Sequence, residues 1–160
     1  MFELGILTCS DKGSLGQRDD LSGRLIQEFL EKHDFHLNSY SVIPDDVETI
    51  KSNLIKLSDL TAIDLIITTG GTGVTNRDVT PEATKAIIEK EILGITEIMR
   101  VKCFDFNPLS IISRAVCGYR NKTLIINLPG NPKAIDECLT VILPVLDHTI
   151  KLIQSDSLEH

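Results

Sequence analysis

The chain has 160 residues, of which 42% are hydrophobic, and this is enough for one domain with a sizeable core. Its formal net charge of −7 disfavours a free nucleic-acid-binding module, because such modules carry a basic face. No run reaches the roughly 18 apolar residues of a membrane span, and the N-terminus lacks a signal-peptide pattern. We therefore expect no nucleic acid or membrane as partner, and a cytoplasmic location.

The four cysteines are scattered, with no Cys-x-x-Cys pair and no spacing typical of a zinc site. We interpret them as packing thiols in a reducing compartment. The sequence contains no repeat, low-complexity tract or linker, so we predict one domain over residues 1–155. The remaining residues, 156–160, form a tail that is consistent with a cloning remnant.

The first part of the chain alternates predicted strands and helices. Residues 3–10 are typical of a strand, and residues 11–18 are typical of a polar loop. Asp19 or Asp20 is expected to cap a helix with one apolar face, and residues 36–43 then form a second strand. The next helix begins near Asp45, and Glu48 follows Asp45 with the spacing of a capping box.

The stretch from Ile63 to Ala83 holds the clearest candidate site. Its apolar start predicts a strand buried on both faces, followed by a loop with glycines at 70, 71 and 73. Thr80, as a hydroxyl cap, and Pro81 are typical of a helix start. Such a loop and helix start form a concavity suited to an anion such as phosphate. The alternative is a tight turn with incidental glycines.

This glycine loop is not a general nucleotide motif. A Walker A loop requires a lysine, and none follows Gly73 before Lys85. A dinucleotide fingerprint requires a third glycine where Asn76 stands. The polar residues Arg77 and Asp78 in the same turn nevertheless favour a ligand site over a purely structural turn.

The last part of the chain continues the alternation. We predict a helix that includes residues 83–88 and another over residues 93–106 that Pro108 closes. Strands are predicted over 114–119 and 123–128. Asn131 then caps a final helix with Pro132 as its first residue, and Pro144 is expected to kink or split it.

Three apolar strands, ending near Thr8, Thr68 and Asn127, are each followed by a glycine-bearing polar loop and a capped helix. This pattern predicts an α/β domain with a mostly parallel sheet and helices on both faces. Ligands of such sheets bind beyond the carboxyl ends of the strands. The three loops should therefore converge on one edge and form one site.

Asp45 and Asp78 are the candidate catalytic carboxylates. Together with a polyphosphate, they would supply hard oxygen ligands for Mg²⁺. Alternatively, Asp45 is a plain helix cap and Asp78 stabilises a turn. Arg77 could hold a phosphate or lie solvated, and Thr72 could donate to a phosphate or to the loop backbone. No Ser/His/Asp triad can be assigned.

Several segments resemble the molybdopterin adenylyltransferase family, in particular its MogA-like branch, which includes the G domain of gephyrin. The resemblance spans essentially the whole chain and is carried by Thr-Thr-Gly-Gly-Thr-Gly (68–73), Arg-Asp-Val-Thr-Pro-Glu-Ala-Thr (77–84), Leu-Ile-Ile-Asn-Leu-Pro-Gly-Asn-Pro-Lys (124–133), Ser10-Asp11, Pro44-Asp45 and Ser113-Arg114. Lys12 departs from the arginine that many relatives carry after Ser-Asp.

The resemblance implies a three-layer α/β/α domain of the molybdopterin-binding fold, usually a trimer. It also implies Mg²⁺-dependent transfer of AMP from ATP to molybdopterin, with the product passing on to molybdate insertion. The implied catalytic and metal residues are Asp45 and Asp78, and the implied binding residues are Ser10, Asp11, Thr69, Gly70, Gly71, Thr72, Gly73, Arg77, Ser113, Asn127, Pro129 and Gly130.

A related MoaB-like branch shares the fold, and some of its members lack the reaction. Such chains can depart from the sequence Arg-Asp-Val-Thr-Pro, which is intact here at residues 77–81. The resemblance therefore favours the catalytic branch, and the alternative is a molybdopterin-binding or carrier module without catalysis.

Overall fold

The computed structural model describes residues 1–60 and 62–155, so the predicted tail at 156–160 lies outside the described residues. The elements, in chain order, are β1 (Phe2–Cys9), α1 (Asp11–Ser14), α2 (Leu21–Glu31), β2 (Phe35–Ile43), α3 (Val47–Leu60), β3 (Leu65–Thr69), α4 (Thr80–Lys85), β4 (Lys90–Glu91), α5 (Leu93–Cys103), a 3-10 helix (Pro108–Ile112), β5 (Cys117–Arg120), β6 (Thr123–Leu128) and α6 (Pro132–Gln154). Within these ranges no helix combines the length and apolar character that crossing a bilayer requires.

The strands of the described chain form one six-stranded sheet with the order β2-β1-β3-β6-β5-β4. Four neighbouring strands, β2, β1, β3 and β6, run parallel. The remaining two, β5 and β4, extend the sheet as an antiparallel edge. Because parallel neighbours need crossover connections, helices lie between them along the chain. The predicted α/β domain with a mostly parallel sheet is confirmed.

Helices cover both faces of the sheet, and each face has its own core. On one face, α2, α5 and α6 pack against β-strand residues such as Ile6, Ile67 and Ile126. On the other face, α3 and α4 pack against Leu7 and Ile66. Successive side chains of a strand point to opposite faces, so the continuous apolar runs supply both cores. The three-layer α/β/α architecture is therefore confirmed.

Two predicted helix caps are wrong. The cap of α3 is Asp46, whose carboxylate accepts the backbone N–H of Thr49 at 2.8 Å, and not Asp45 in a capping box. At the start of α4, the Thr80 hydroxyl donates to the carbonyl of Gly70 at 2.9 Å and caps no helix amide. Both Asp45 and Thr80 therefore serve the loops at the carboxyl edge of the sheet instead of their own helices.

Some predicted boundaries also shift. Residues 11–14 form α1 instead of a loop, because the Ser10 hydroxyl accepts the backbone N–H of Gly13 at 3.0 Å and caps this turn. The helix α5 ends at Cys103, before the predicted limit at 106. Strand β5 begins at residue 117 instead of the predicted 114. Pro144 does not split α6, which runs as one helix over 132–154.

Candidate active site

The loops that follow β1, β3 and β6 meet at the carboxyl edge of the sheet, as predicted. The Thr69 hydroxyl donates to the carbonyl of Pro129 at 2.8 Å, which ties the end of β3 to the loop after β6. A Cβ atom on Gly130 would stand 3.2 Å from the Cα of Gly70, so the two glycines bring these loops into backbone contact. Residues that are 60 positions apart thereby form one surface.

A cleft at this edge has two lobes. The first, which we call the polar lobe, has a volume of about 470 Å³ and is lined by residues that include Ser10, Arg18, Asp20, Asp45, Thr69, Gly70 and Arg77. The second, which we call the apolar lobe, has a volume of about 320 Å³ and is lined by residues that include Thr72, Gly73, Met99, Cys103, Leu109, Ile112, Ser113, Pro129 and Cys138. Gly71, Asp78, Gly130 and Asn131 line both lobes, so the two lobes adjoin at the glycine loop.

The glycine loop takes a shape that requires glycine at its first two positions. Gly70 and Gly71 have φ angles of 92° and 68°, which side chains other than glycine rarely adopt. A Cβ atom on Gly70 would also stand 2.5 Å from the carbonyl oxygen of Cys9. The turn therefore brings bare backbone against the end of β1.

Three consecutive backbone N–H groups of this loop are open to a ligand. Those of Gly71, Thr72 and Gly73 donate to no acceptor within residues 1–60 and 62–155. Unpaired backbone donors are rare in folded proteins unless water or a ligand binds them. Because these residues line the cleft, their amides are suited to anionic oxygens such as those of a phosphate.

Asp45 and Asp78 both face the polar lobe. Asp45 is held by a reciprocal pair of hydrogen bonds, because Asp11 N–H donates to its carboxylate at 3.1 Å and its own N–H donates to Asp11 at 3.0 Å. One carboxylate oxygen of Asp78 accepts both the N–H of Thr75, at 2.9 Å, and its hydroxyl, at 2.7 Å. Both carboxylates are thus oriented by neighbouring loop residues.

The electrostatics of the polar lobe favour a bound cation near Asp45. Burial raises the pKa of this carboxyl above its ordinary value, and the negative charges of Asp11 and Asp78 raise it further. Arg77 forms an ion pair with Asp11 and lowers the pKa of that carboxyl. The Arg77 side chain is 70% exposed, so it can turn from Asp11 toward an anion in the lobe.

Asp45 and Asp78 fit a magnesium site in which the substrate would complete the coordination of the ion. No group of three or more His, Cys, Asp or Glu side chains is arranged to hold a metal, as far as the described residues show. Mg²⁺ is usually bound by one or two carboxylates together with water and substrate phosphates, and Asp45 and Asp78 match that donor set. Burial is the main cause of the raised pKa of Asp45, and such an ion would also offset the negative charges of Asp11 and Asp78 that add to it.

Arg114 anchors the glycine loop through several hydrogen bonds. Its backbone N–H donates to Thr72 at 2.9 Å, and its guanidinium donates to the carbonyls of Gly73 at 2.6 Å and Asp78 at 2.8 Å. The guanidinium also forms an ion pair with Glu82 and lowers the pKa of that carboxyl. Arg114 is one of the residues that carry the family resemblance, but the sequence gave it no such role, because nothing local indicates a partner 41 residues away.

Other predicted site residues lie in different surroundings. Ser10 lines the polar lobe, and Ser113 and Pro129 line the apolar lobe. Asn127 is fully buried and lines neither lobe. Its amide donates to the hydroxyls of Thr68 and Thr84, and it accepts the N–H of Val116 at 3.0 Å, so its side chain supports the sheet edge beneath the site.

Sequence reasoning missed part of each lobe. In the polar lobe, Asp20 accepts hydrogen bonds from Thr8 at 2.6 Å, from Tyr40 and from the N–H of Gly23 at 2.9 Å. Burial, followed by this carboxylate, raises the pKa of Tyr40. The sequence predicted a helix cap at Asp19 or Asp20, but it gave no reason to place Asp20 in the site. In the apolar lobe, Glu137 lies within the predicted final helix, and the sequence gives it no separate role.

The comparisons with known proteins agree with this geometry. A family model described as a probable molybdopterin binding domain matches residues 5–148. A Helicobacter pylori J99 protein named molybdopterin adenylyltransferase is 43% identical, covering 95% of this chain and 88% of its own length. Gephyrin from Dictyostelium discoideum is 41% identical over 95% of this chain, which spans 22% of that protein.

A solved structure gives the same result for the fold. The crystal structure of the molybdopterin biosynthesis enzyme MoaB from Thermus thermophilus is 44% identical, with a TM-score of 0.91 and coverage of 96% of each chain. The class defined by fold and site is therefore a cofactor-biosynthesis domain of the three-layer α/β/α type. The chain belongs to the family of molybdopterin-binding domains that function in molybdenum cofactor biosynthesis.

Proposed function

We propose that this protein is a molybdopterin adenylyltransferase, which transfers AMP from ATP to molybdopterin and releases pyrophosphate in the presence of Mg²⁺. The observation that supports it best is the combination of three open amides, at residues 71–73, with two carboxylates at one cleft. Relatives at 40–43% identity that carry this name add support.

In this reaction a terminal phosphate oxygen of molybdopterin forms a bond to the α-phosphorus of ATP. The bond from that phosphorus to its bridging oxygen breaks, and pyrophosphate leaves with the electron pair. The attacking phosphate is already ionised, so the enzyme needs positioning and charge neutralisation more than a general base.

Different residues of the cleft bind the phosphates and the metal ion. The amides of Gly71, Thr72 and Gly73 bind non-bridging phosphate oxygens, and Arg77 leaves Asp11 to bind a phosphate of the nucleotide. Asp45 and Asp78 would hold Mg²⁺, which would supply positive charge to offset the charge on the leaving pyrophosphate.

A pyrophosphate-release assay with ATP, Mg²⁺ and molybdopterin tests this function. The wild-type protein should release pyrophosphate only when all three are present. Asp78→Ala should abolish release while circular dichroism and the thermal midpoint show an intact fold. Full turnover by this variant would disprove its assigned role.

The alternative function is a molybdopterin-binding or carrier module without catalysis. A similar solved structure is described as MoaB, and the resemblance drawn from the sequence includes a MoaB-like branch in which some members lack the reaction. This module would bind molybdopterin, but it would release no pyrophosphate with ATP and Mg²⁺. The same assay, combined with a molybdopterin-binding measurement, therefore separates the two functions.

We also propose that the protein assembles as a homotrimer through α5 and the following 3-10 helix. Large apolar side chains are well exposed in α5 (Val101, 65%), in the segment that follows it (Phe106, 68%) and in the 3-10 helix (Ile111, 61%). Exposed apolar surfaces of this kind typically mark protein contacts. Phe106→Glu should shift the mass measured by light scattering from trimer to monomer, and an unchanged mass would exclude this surface.

The location and the fate of the product are further parts of the proposal. Cys9, Cys103, Cys117 and Cys138 are all free and buried, which fits a reducing cytoplasm. The adenylylated product is a phosphoanhydride that water can hydrolyse, so we propose direct transfer to a molybdate-insertion protein. In a coupled reaction, excess unlabelled adenylylated product can be added while labelled product forms. If this addition lowers the amount of label that reaches the final cofactor, the product is released into solution and direct transfer is excluded.

A further inference from the structure

The apolar lobe contains one carboxylate that the proposed mechanism does not use. Glu137 lies on α6, is half-buried and lines this lobe. Within residues 1–60 and 62–155 it makes no hydrogen bond or ion pair. The other charged side chains of the lobe are engaged, since Asp78 binds Thr75 at 2.9 Å and Arg100 donates to the carbonyl of Ser113 at 3.2 Å.

The side chains around Glu137 are mostly apolar or weakly polar. The thiols of Cys103 and Cys138 lie 3.5 Å apart in the same wall, and Met99 lies beside them in the lobe. Burial, with a contribution from the Glu137 charge, raises the pKa of the Cys103 thiol, which places this carboxylate near the thiols. A ligand that fills the lobe would cover this carboxylate, and a charge buried without a partner is destabilising. A ligand with suitable donors would supply that partner.

The shape of a carboxylate restricts which donors fit. Its two oxygens lie side by side and accept two parallel N–H bonds, as they do from a guanidinium. A pterin carries such a pair, namely its ring N3–H and its 2-amino group, along one edge of a flat bicyclic ring. Adenine instead places a ring-nitrogen acceptor beside its amino group, and that lone pair would face one carboxylate oxygen. The chemistry of Glu137 therefore favours a pterin over adenine.

We propose that Glu137 determines specificity by binding the aminopyrimidinone edge of the pterin in the apolar lobe. The pterin ring then packs against apolar residues such as Met99 and Leu109, and the phosphate of the same substrate extends toward the open amides at residues 71–73. The lobes adjoin at Gly71, so one ligand can reach from the apolar lobe to the polar lobe. The proposal rests on the proposed function, because it takes molybdopterin as the substrate.

Fluorescence titration with two small probes tests this role. The probes are 6-hydroxymethylpterin and 6-hydroxymethyllumazine, which carries a carbonyl acceptor where the pterin has its 2-amino group. The wild type should prefer the pterin by about 10- to 100-fold, because a charged hydrogen bond is lost with lumazine. Glu137→Gln should reverse or erase this preference, since an amide offers one donor and one acceptor. A loss of packing alone would weaken both probes equally.

Asp136→Asn is the matched control. Asp136 is the neighbouring acid on α6, is exposed and lines neither lobe, so its replacement should leave the binding of both probes unchanged. In the enzyme assay, Glu137→Gln should raise KM for molybdopterin by a similar factor and leave KM for ATP unchanged.

The outcomes separate this inference from the proposed function. A wild type that prefers pterin but releases no pyrophosphate would refute the adenylyltransferase and keep the role of Glu137 in a binding module. Equal binding of both probes by the wild type, or no binding of either, would refute the role. A higher KM for ATP in Glu137→Gln, with unchanged pterin binding, would assign the lobe to adenine and also refute it.

Discussion

Selected acidic residues at the two ends of the sheet differ in their hydrogen-bond partners. At the amino end, Asp59 accepts from Arg120 at 2.9 Å and 2.7 Å and from Asn121 at 2.7 Å. Asp64 there accepts the N–H of Glu3 at 2.7 Å and the amide of Gln154 at 2.5 Å. The acids at this end are satisfied by the protein itself and join distant parts of the chain.

At the carboxyl end, the candidate catalytic acids Asp45 and Asp78 instead face a cleft. Asp78 uses one carboxylate oxygen for Thr75, and the pKa of Asp45 is raised by burial and by neighbouring negative charge. Three backbone amides in the same loop are also without acceptors among the described residues. The comparison indicates that one end of the sheet stabilises the fold while the other end retains polar groups for a ligand.

The largest effect is expected when a substitution at Asp45 is compared with the same substitution at Asp64. Asp45→Asn removes a carboxylate that faces the cleft, so kcat should fall by roughly 100- to 1,000-fold, as when a group that stabilises developing charge is lost. Asp64→Asn should instead lower the free energy of unfolding by about 1–3 kcal/mol and leave kcat unchanged. Pyrophosphate release and urea unfolding measure the two effects. Equal kcat values in the two variants would remove the distinction between the ends.

The next effect compares two arginines of similar exposure. Arg114 contacts the glycine loop and Glu82, with its side chain 37% exposed, and Arg120 contacts Asp59 and the carbonyl of Ile87, with its side chain 27% exposed. A lysine cannot reach two carbonyls in parallel as a guanidinium does. Arg114→Lys should therefore lower kcat by about 10- to 100-fold through the misplaced loop.

Arg120→Lys is the control for this comparison. Both variants should have similar thermal midpoints, but only Arg114→Lys should lose activity. Addition of methylguanidine to Arg114→Ala should restore part of the turnover, because it can occupy the space of the missing side chain. If Arg120→Lys lost as much activity as Arg114→Lys, the role of Arg114 would be limited to general stability.

A smaller effect concerns two glycines. Gly71→Ala introduces a side chain at a φ of 68° and should lower the free energy of unfolding by about 1–3 kcal/mol. Gly118→Ala, at the antiparallel edge, would place a Cβ atom 2.5 Å from the carbonyl of Lys90 and should have a similar cost of about 1–3 kcal/mol. At a temperature where both variants are folded, only Gly71→Ala should show reduced ATP affinity by calorimetry.

The smallest effect is a pH dependence at the amino end. Arg120 lowers the pKa of the Asp59 carboxyl in the folded protein. A lowered folded pKa means that the stabilisation is present above the unfolded pKa and is lost as the pH falls through the folded value. Asp59→Asn should thus lower the thermal midpoint slightly near neutral pH. The difference from wild type should vanish at strongly acidic pH, and a constant difference would contradict the assignment.

The sequence was sufficient for the elements that depend on local patterns. Continuous apolar runs predicted β1, β3 and β6, because strands buried on both faces need apolar residues at every position. Glycines after strands predicted the loops of the site. Caps were less predictable, because Asp45 and Asp46 have the same side chain and only one of them faces the helix amides.

The sequence by itself determined the fold class, the order of the main strands and helices and the glycine loop, since these follow from the periodicity of apolar residues and from backbone geometry. Only the tertiary structure decided which acids the protein satisfies internally and which it presents to a ligand. It also decided that Arg114 supports the loop, that Asn127 lies beneath the site and that Glu137 faces the apolar lobe. These properties depend on contacts between residues far apart in the chain, which no local pattern specifies.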